Sequence, residues 1–173
     1  MLVGITGKSG VGKDTAADAL VRNHGYVKYS LAEPLKAALN AMFGWSPDLW
    51  NDRGWKEGTI PSIGASPRRL AQTLGTEWGR SIINPDLWIG IAAKKFQKVG
   101  SYKMVIPDVR FDNEAEWIIQ EGGIVIDLTR PGTAAVEAHS SEDGLTADLI
   151  THSVENSGSI NLLHAHMADV VGA

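Results

Sequence analysis

An apolar run, Leu2-Val3-Gly4-Ile5-Thr6, opens the chain and stops at a glycine. Short, continuous and bounded by a turn signal, it predicts a strand buried on both faces. The pattern then changes period. Residues from about Lys13 to Asn23 are helix formers, with Gly25 as a stop, and Tyr26-Val27-Lys28-Tyr29 alternates as a second strand. Ser30 to Leu35 begins a second helix, with Pro34 in its first turn and Ser30 or Glu33 near its cap. Residues 44–66 lose all periodicity: Gly44, Pro47, Gly54, Gly58, Pro61 and Gly64 alternate with Trp45, Trp50 and Trp55. A loop this long in a compact domain is functional or mobile. It reads equally well as a substrate flap or as a hydrophobic plug.

Ser66-Pro67 then starts a helix that reaches Gly75, with Ser66 as N-cap. Asn84-Pro85-Asp86 is a turn, followed by a helix over about 86–99. In Lys103 to Arg110 an apolar strand ends in an acid, Asp108. Asp112 or Asn113 caps the next helix, which Gly122-Gly123 closes. Ile124–Leu128 is another buried strand, Leu149–His152 a last short one, and residues 160–171 a C-terminal helix. Strands alternating with helices predict an α/β fold.

Composition narrows the function. At 173 residues the chain suits one domain, and an apolar fraction of 43% is enough for a core. A formal net charge of −4 argues against bulk nucleic-acid or membrane binding but not against a local cationic site for a small anion. There is no cysteine, hence no disulfide or thiolate metal site, and no apolar run approaches the ~20 residues of a membrane span. Met1 leads directly into the first strand, leaving no room for a signal peptide. The expectation is a soluble cytoplasmic protein.

The chemistry starts at Gly7-Lys8-Ser9-Gly10-Val11-Gly12-Lys13-Asp14-Thr15. Strand, glycine-rich turn and helix make a phosphate-binding loop. The glycines bring backbone N–H groups close to an anion, and the helix opening at Lys13 aims its positive end at the same place. Lys13 supplies a mobile charge for the outer phosphates, and Thr15 a hydroxyl that can ligate Mg²⁺. Asp14 stands where the common pattern has Ser or Thr. Beside a triphosphate it repels unless a cation intervenes, so it reads as a magnesium-shell or arginine-positioning residue, or as a helix-start acid favouring the dipole.

Further along, Lys36 falls at the carboxyl edge of the second strand, where open parallel sheets bind ligands. Arg68 and Gln72 share a helix face suited to a nucleoside monophosphate, with a guanidinium for phosphate and an amide for a base edge. The basic run Lys94, Lys95 and Lys98 is a solvated face. Asp108, Arg110 and Glu114 converge at one strand-to-helix junction, either as a ligand cluster or as an internal salt bridge capping the helix. His139 carries little signal.

Taken in order, several stretches resemble the deoxynucleoside monophosphate kinases of tailed bacteriophages. They are Gly-Lys-Asp-Thr at 12–15, Ala32-Glu33-Pro34-Leu35-Lys36, Arg68 to Thr76, Leu87-Trp88, Pro107-Asp108-Val109-Arg110 with Glu114, Arg130-Pro131-Gly132 and Asn156-Ser157-Gly158-Ser159. The resemblance implies a P-loop kinase fold of three layers, a central parallel sheet flanked by helices, as a single domain over 1–173. A flap-like insertion would lie around 44–66, shorter than in larger relatives, and a short lid around 130–147. It implies transfer of the ATP γ-phosphoryl group to a deoxynucleoside 5′-monophosphate, with Mg²⁺, in the host cytoplasm if phage-encoded. Residues 7–15 (Gly7, Lys8, Ser9, Gly10, Val11, Gly12, Lys13, Asp14 and Thr15) would bind ATP. Lys36, Arg68, Arg69, Gln72, Trp88, Asp108, Arg110 and Glu114 would hold the acceptor, and Arg130 would lie near a nucleotide base or in the lid. Lys13, Asp14, Arg110 and Arg130 would serve catalysis, with Thr15 and Asp14 toward the metal. Partners are small nucleotides, with no nucleic acid and no membrane; a homodimer is compatible with the sequence, which does not decide it. Two rivals share the loop: another P-loop small-molecule kinase, such as one acting on dephospho-coenzyme A, and a non-enzymatic ATP-binding regulatory module.

Overall fold

The computed structural model describes residues 1–99, 103–133 and 144–172. Five parallel strands form one sheet in the order β2-β3-β1-β4-β5: β1 Leu2–Thr6, β2 Tyr26–Lys28, β3 Lys103–Ile106, β4 Ile124–Thr129 and β5 His152–Glu155. The three central strands are the expected apolar runs. Val3, Ile5, Val105, Ile126 and Leu128 are fully buried. Helices α1 (Lys13–His24) and α7 (Ile160–Val171) cover one face, where Leu20, Leu163 and Met167 join the same core. Helix α6 (Asp112–Gln120) packs on the other. Gly4 admits it: a Cβ there would lie 2.6 Å from Ile118 Cδ1.

This order positions the site. The crossover from β1 through α1 to β2 passes β3 in one direction, and that from β3 through α6 to β4 passes β1 in the other. The chain therefore reverses direction at the β1/β3 pair, and ligands of open α/β sheets bind outside the carboxyl ends of such a pair.

Residues 1–30 and 91–173 form one compact unit and residues 31–90 a second. The second contains α2 (Glu33–Phe43), a 3₁₀ turn at Pro47–Asn51, α3 (Arg53–Glu57) and α4 (Pro67–Gln72), which runs on as a π-helix over Thr73–Ile83. Helix α5 follows at Leu87–Val99. The aperiodic stretch 44–66 thus has structure of its own. Trp45, Trp50 and Trp55 meet edge to face with centroids 5.0–6.2 Å apart, and Phe43 stacks on Trp45 at 4.6 Å. Its tryptophans pack on one another.

Three boundaries differ from expectation. Gly75 does not end its helix. Gly75 and Gly79 instead make room for neighbours: a Cβ would lie 3.1 Å from Leu35 at the first and 2.5 Å from the Trp88 ring at the second. The last strand lies three residues later than Leu149–His152, at His152–Glu155, where its ladder to β4 begins at Ile126↔His152. Helix α2 starts after Ala32 with no side-chain cap, so neither Ser30 nor Glu33 caps it. Among the described residues, no helix is long and apolar enough to cross a membrane.

Candidate active site

The loop after β1 has the backbone its glycines foretell. Gly7, Gly10 and Gly12 all have positive φ, and Gly12 is the N-cap of α1 at φ 105° with no side-chain cap bond. An uncapped helix start leaves its first N–H groups for an anion. No larger residue fits at Gly7, where a Cβ would run into the Leu128 carbonyl. Lys13 folds back over the loop, its Nζ donating to the carbonyls of Gly7 (2.5 Å) and Lys8 (2.9 Å). Lys8, Ser9 and Gly10 are exposed, and Val11 anchors the loop from below as a buried side chain.

Two further strand ends join this edge. The Val109 N–H donates to the Ile5 carbonyl (3.3 Å), so residues 107–110 extend the sheet beside the end of β1. The Tyr29 N–H donates to Val105 (3.0 Å), and the Ser30 hydroxyl donates to Asp108 Oδ2 (2.6 Å). Phosphate loop, Asp108 and Ser30 thus follow three adjacent strands, β1, β3 and β2. Arg110 is exposed at the same junction.

Glu114 is buried, only 2% exposed. Its Oε2 accepts from the backbone N–H groups of Arg110 (2.7 Å) and Phe111 (3.1 Å). Helix α6 is therefore capped from its third residue backward. Asp112 and Asn113 are not the cap, and Asp112 instead accepts from the Thr146 N–H (2.9 Å) and hydroxyl (2.5 Å). These bonds hold the Asp112 carboxyl below the usual carboxylate range. Of the two readings of the junction, Glu114 follows the second in part: it shapes the turn that carries Arg110, through backbone bonds.

Asp14 has a cation, and it is a lysine rather than an arginine. Lys28, at the end of β2, reaches Asp14 Oδ1 at 2.8 Å and Asp18 Oδ1 at 3.0 Å. Burial pulls the Lys28 ammonium down, but hydrogen bonds and attraction from the two carboxylates outweigh it and raise its pKa. Lys28 escaped the sequence reading, although Asp14 and Asp18, four apart on α1, share one face that invites a cation. Ser30, read only as a possible cap, also escaped it.

In the second unit, Ser66 caps α4 as expected, accepting from Arg69 N–H (3.2 Å). Arg68 and Gln72 are partly exposed and Arg69 is exposed. Arg68 Nη1 lies 3.5 Å from Glu57 Oε1. Lys36 Nζ sits 5.7 Å from the centroid of the Trp50 ring, whose Nε1 donates to Asn40 (2.8 Å). Trp88 is a packing residue here. It is 6% exposed, and its Nε1 donates to the Gly75 carbonyl (2.8 Å) while its ring lies against Gly79. A ring so covered offers little face for stacking. Arg130 is exposed after β4, its carbonyl accepting from the Thr133 hydroxyl (2.9 Å). Most of the expected lid, residues 134–143 with His139, lies outside the described residues.

Comparison with known proteins identifies the family. The deoxynucleotide monophosphate kinase family matches residues 1–49 and 62–167. A protein of Acanthamoeba polyphaga mimivirus that carries the family's name is 34% identical over 155 residues, covering 82% of this chain and 80% of its own. The deoxynucleoside-5′-monophosphate kinase of Escherichia phage T5 is 26% identical over 223 residues, covering 90% and 89%. Among solved structures, the shikimate kinase of Aquifex aeolicus shares the fold at 11% identity, with a TM-score of 0.53 and full coverage of both chains. The parallel sheet, the glycine loop at its reversal point and the family match lead to one assignment: the chain belongs to the deoxynucleotide monophosphate kinase family and is a phosphotransferase of the P-loop kinase fold.

Proposed function

We propose that this chain moves the γ-phosphoryl group of ATP onto the phosphate of a deoxynucleoside 5′-monophosphate, with residues 7–15 as the donor site. The observation that carries the reading is the uncapped start of α1. Three positive-φ glycines precede it, Lys13 lies over it, and Asp108 and Arg110 follow the neighbouring strand. In the bound state the Lys13 ammonium would leave the Gly7 and Lys8 carbonyls for the phosphate oxygens, a short swing of a flexible side chain.

The acceptor phosphate is already a nucleophile at neutral pH, so no general base is needed. One P–O bond forms from an acceptor oxygen as the bond to the ADP oxygen breaks, and no net proton transfer is required of the protein. The protein's part is alignment and charge neutralisation. Loop N–H groups and Lys13 hold the donor, and Arg110 neutralises charge on the moving group. Arg130 is assigned the same task from the lid side. In the second unit Lys36, Arg68, Arg69 and Gln72 form the polar set we assign to the acceptor nucleotide. Trp88 would serve it by shaping that unit.

The oxygen donors near the loop fit Mg²⁺: the Thr15 hydroxyl opens α1, Asp14 is 81% exposed beside it, and Asp108 follows the neighbouring strand β3. Bound there, the metal would neutralise phosphate charge.

The test is incubation with ATP, Mg²⁺ and each of the four deoxynucleoside monophosphates, reading diphosphate. Lys13→Ala should lower turnover by at least ~10²-fold with an unchanged fold. Diphosphate from none of the four would favour a different acceptor or a regulatory module. Near-normal turnover in Lys13→Ala would remove the donor assignment.

A further inference from the structure

The turn after β5 crosses the back of the phosphate loop, and one side chain there touches it. Asn156 Nδ2 donates to the Val11 carbonyl (2.8 Å), and its own backbone N–H donates to the Thr129 carbonyl (2.8 Å). The same amide fills the space beside Gly12, where a Cβ would come within 2.7 Å of Nδ2. These groups all belong to the unit that holds the sheet.

The consequence follows from peptide geometry. A peptide unit is planar and trans, so its C=O and N–H point in opposite directions. The Val11 carbonyl and the Gly12 N–H share one such unit. Fixing the carbonyl toward Asn156 aims the Gly12 N–H away from Asn156. Gly12 is a residue with φ 105°, free to rotate unless something holds it. A loop that binds anions with backbone donors needs those donors oriented before the anion arrives, and Lys13 and the α1 N–H groups cannot supply that restraint themselves. The second bond fixes Asn156 to Thr129, the residue before Arg130.

We propose that Asn156 is a positioning residue for the donor-phosphate loop: its side-chain amide sets the Val11–Gly12 peptide and thereby the affinity for ATP. This rests on the reading of residues 7–15 as the donor site. Alanine or aspartate at this position would keep the backbone bond to Thr129. Neither has a donor for the Val11 carbonyl.

The test compares Asn156→Ala and Asn156→Asp in the full chain, with Lys13→Ala alongside. Steady-state KM is measured for each substrate, ATP affinity by titration calorimetry, and the melting temperature of each protein. Asn156→Ala should raise the KM and Kd for ATP about tenfold, the size of one net hydrogen bond to a buried acceptor, with the acceptor KM within about twofold. Asn156→Asp is nearly isosteric but sets a carboxylate oxygen against the Val11 carbonyl, so it should bind ATP more weakly still. A purely structural asparagine predicts lower melting in both variants with ATP affinity unchanged. ATP affinity within about twofold of wild type in the Asp variant overturns the proposal, as does an equal rise in both KM values. Should the Ala variant fail to fold, the near-isosteric Asp variant decides alone. If Lys13→Ala loses ATP and the Asn156 variants do not, only the role of Asn156 falls. If Lys13→Ala binds ATP unchanged, the donor site itself is misassigned.

Discussion

Removing the Glu114 carboxylate should both destabilise the protein and slow it. Glu114 sits in the buried start of α6 and offers one oxygen to two backbone donors, Arg110 N–H at 2.7 Å and Phe111 N–H at 3.1 Å. Hydrogen bonds to a charged acceptor are worth about 1.5–3 kcal/mol each, and water entering the space left by truncation returns part of that. Glu114→Ala should therefore cost about 3 kcal/mol. For a domain of this size each kcal/mol moves the melting temperature by about 2–4 °C, so a fall of about 6–12 °C is expected. Glu114→Gln retains an oxygen at the same place, loses charge assistance, and should fall between the two. Activity follows because the turn that Glu114 closes is the turn that carries Arg110. In Glu114→Ala, kcat/KM should drop about tenfold or more at a temperature where the protein is still folded, since a loosely held guanidinium is poorly aligned. Thermal melts monitored by circular dichroism, paired with the diphosphate assay, measure both. A Glu114→Ala protein that melts within about 1 °C of wild type would refute the capping account. One that melts lower yet turns over normally would separate Arg110 from catalysis.

Three other perturbations probe the same structure. Lys28→Met leaves Asp14 and Asp18 uncompensated beside the phosphate loop. The KM for ATP should rise several-fold, and adding Asp14→Asn should reverse most of the rise; no reversal in the double variant would reject the coupling. The folded pKa of Lys28 is raised, so its contribution to stability is complete below its unfolded value, near 10.5, and fades only as pH rises through the higher folded value. Melting at neutral pH should not depend on its titration. Trp88→Phe removes the 2.8 Å bond to Gly75 and leaves a small void, together costing about 2 kcal/mol and lowering the melting temperature by about 4–8 °C. The KM for ATP should stay unchanged, and a shift in that KM without a change in melting would contradict the packing role. The Asp112 carboxyl is held below its usual value by Thr146, so its stabilising effect is present above the unfolded pKa, near 3.8, and is lost as pH falls through the folded value. Hydrogen exchange at the Thr146 amide should therefore be insensitive to this titration from about pH 5 to 8, and loss of protection near pH 6 would argue against it.

What could be read in the chain was what depends on local pattern. Leu2–Thr6 and Ile124–Leu128 are continuous apolar runs, and burial on both faces of a parallel sheet demands that composition. The glycine loop was legible because its backbone needs residues without a Cβ, and Ser66-Pro67 because a helix start favours both. The misplacements have a common cause. Gly75 looked like a stop because glycine usually is one, but in this helix it clears space for Leu35, which lies forty residues earlier in the chain. The resemblance assigned Trp88 to the acceptor, and nothing local reveals that its indole donates to a carbonyl thirteen residues back. Lys28, Ser30 and Asn156 share the same difficulty: each acts on a partner brought to it by strand order alone. Asp112 and Asn113 were plausible caps by residue type, and Glu114 displaced them by reaching back from the third helical position.

Read as the donor site, the phosphate loop would be the least discriminating part of the molecule. Backbone N–H groups and one lysine read a phosphate chain, which every nucleoside triphosphate presents alike. A shikimate kinase shares the fold at 11% identity, so the fold by itself does not name the acceptor. Acceptor choice must then rest on side chains that the loop does not contain. The family match breaks only at residues 50–61, inside the second unit. That break removes from the family pattern the segment holding Trp50 and Glu57, which here meet Lys36 and Arg68. Lys36 and Arg68 lie within the matched stretches, but Trp50 and Glu57 lie outside them. Two chains of this family can thus share the cations proposed for the acceptor and still hold them differently. Identity at those cations alone is consequently a weaker guide to the preferred base than the composition of the segment packed against them.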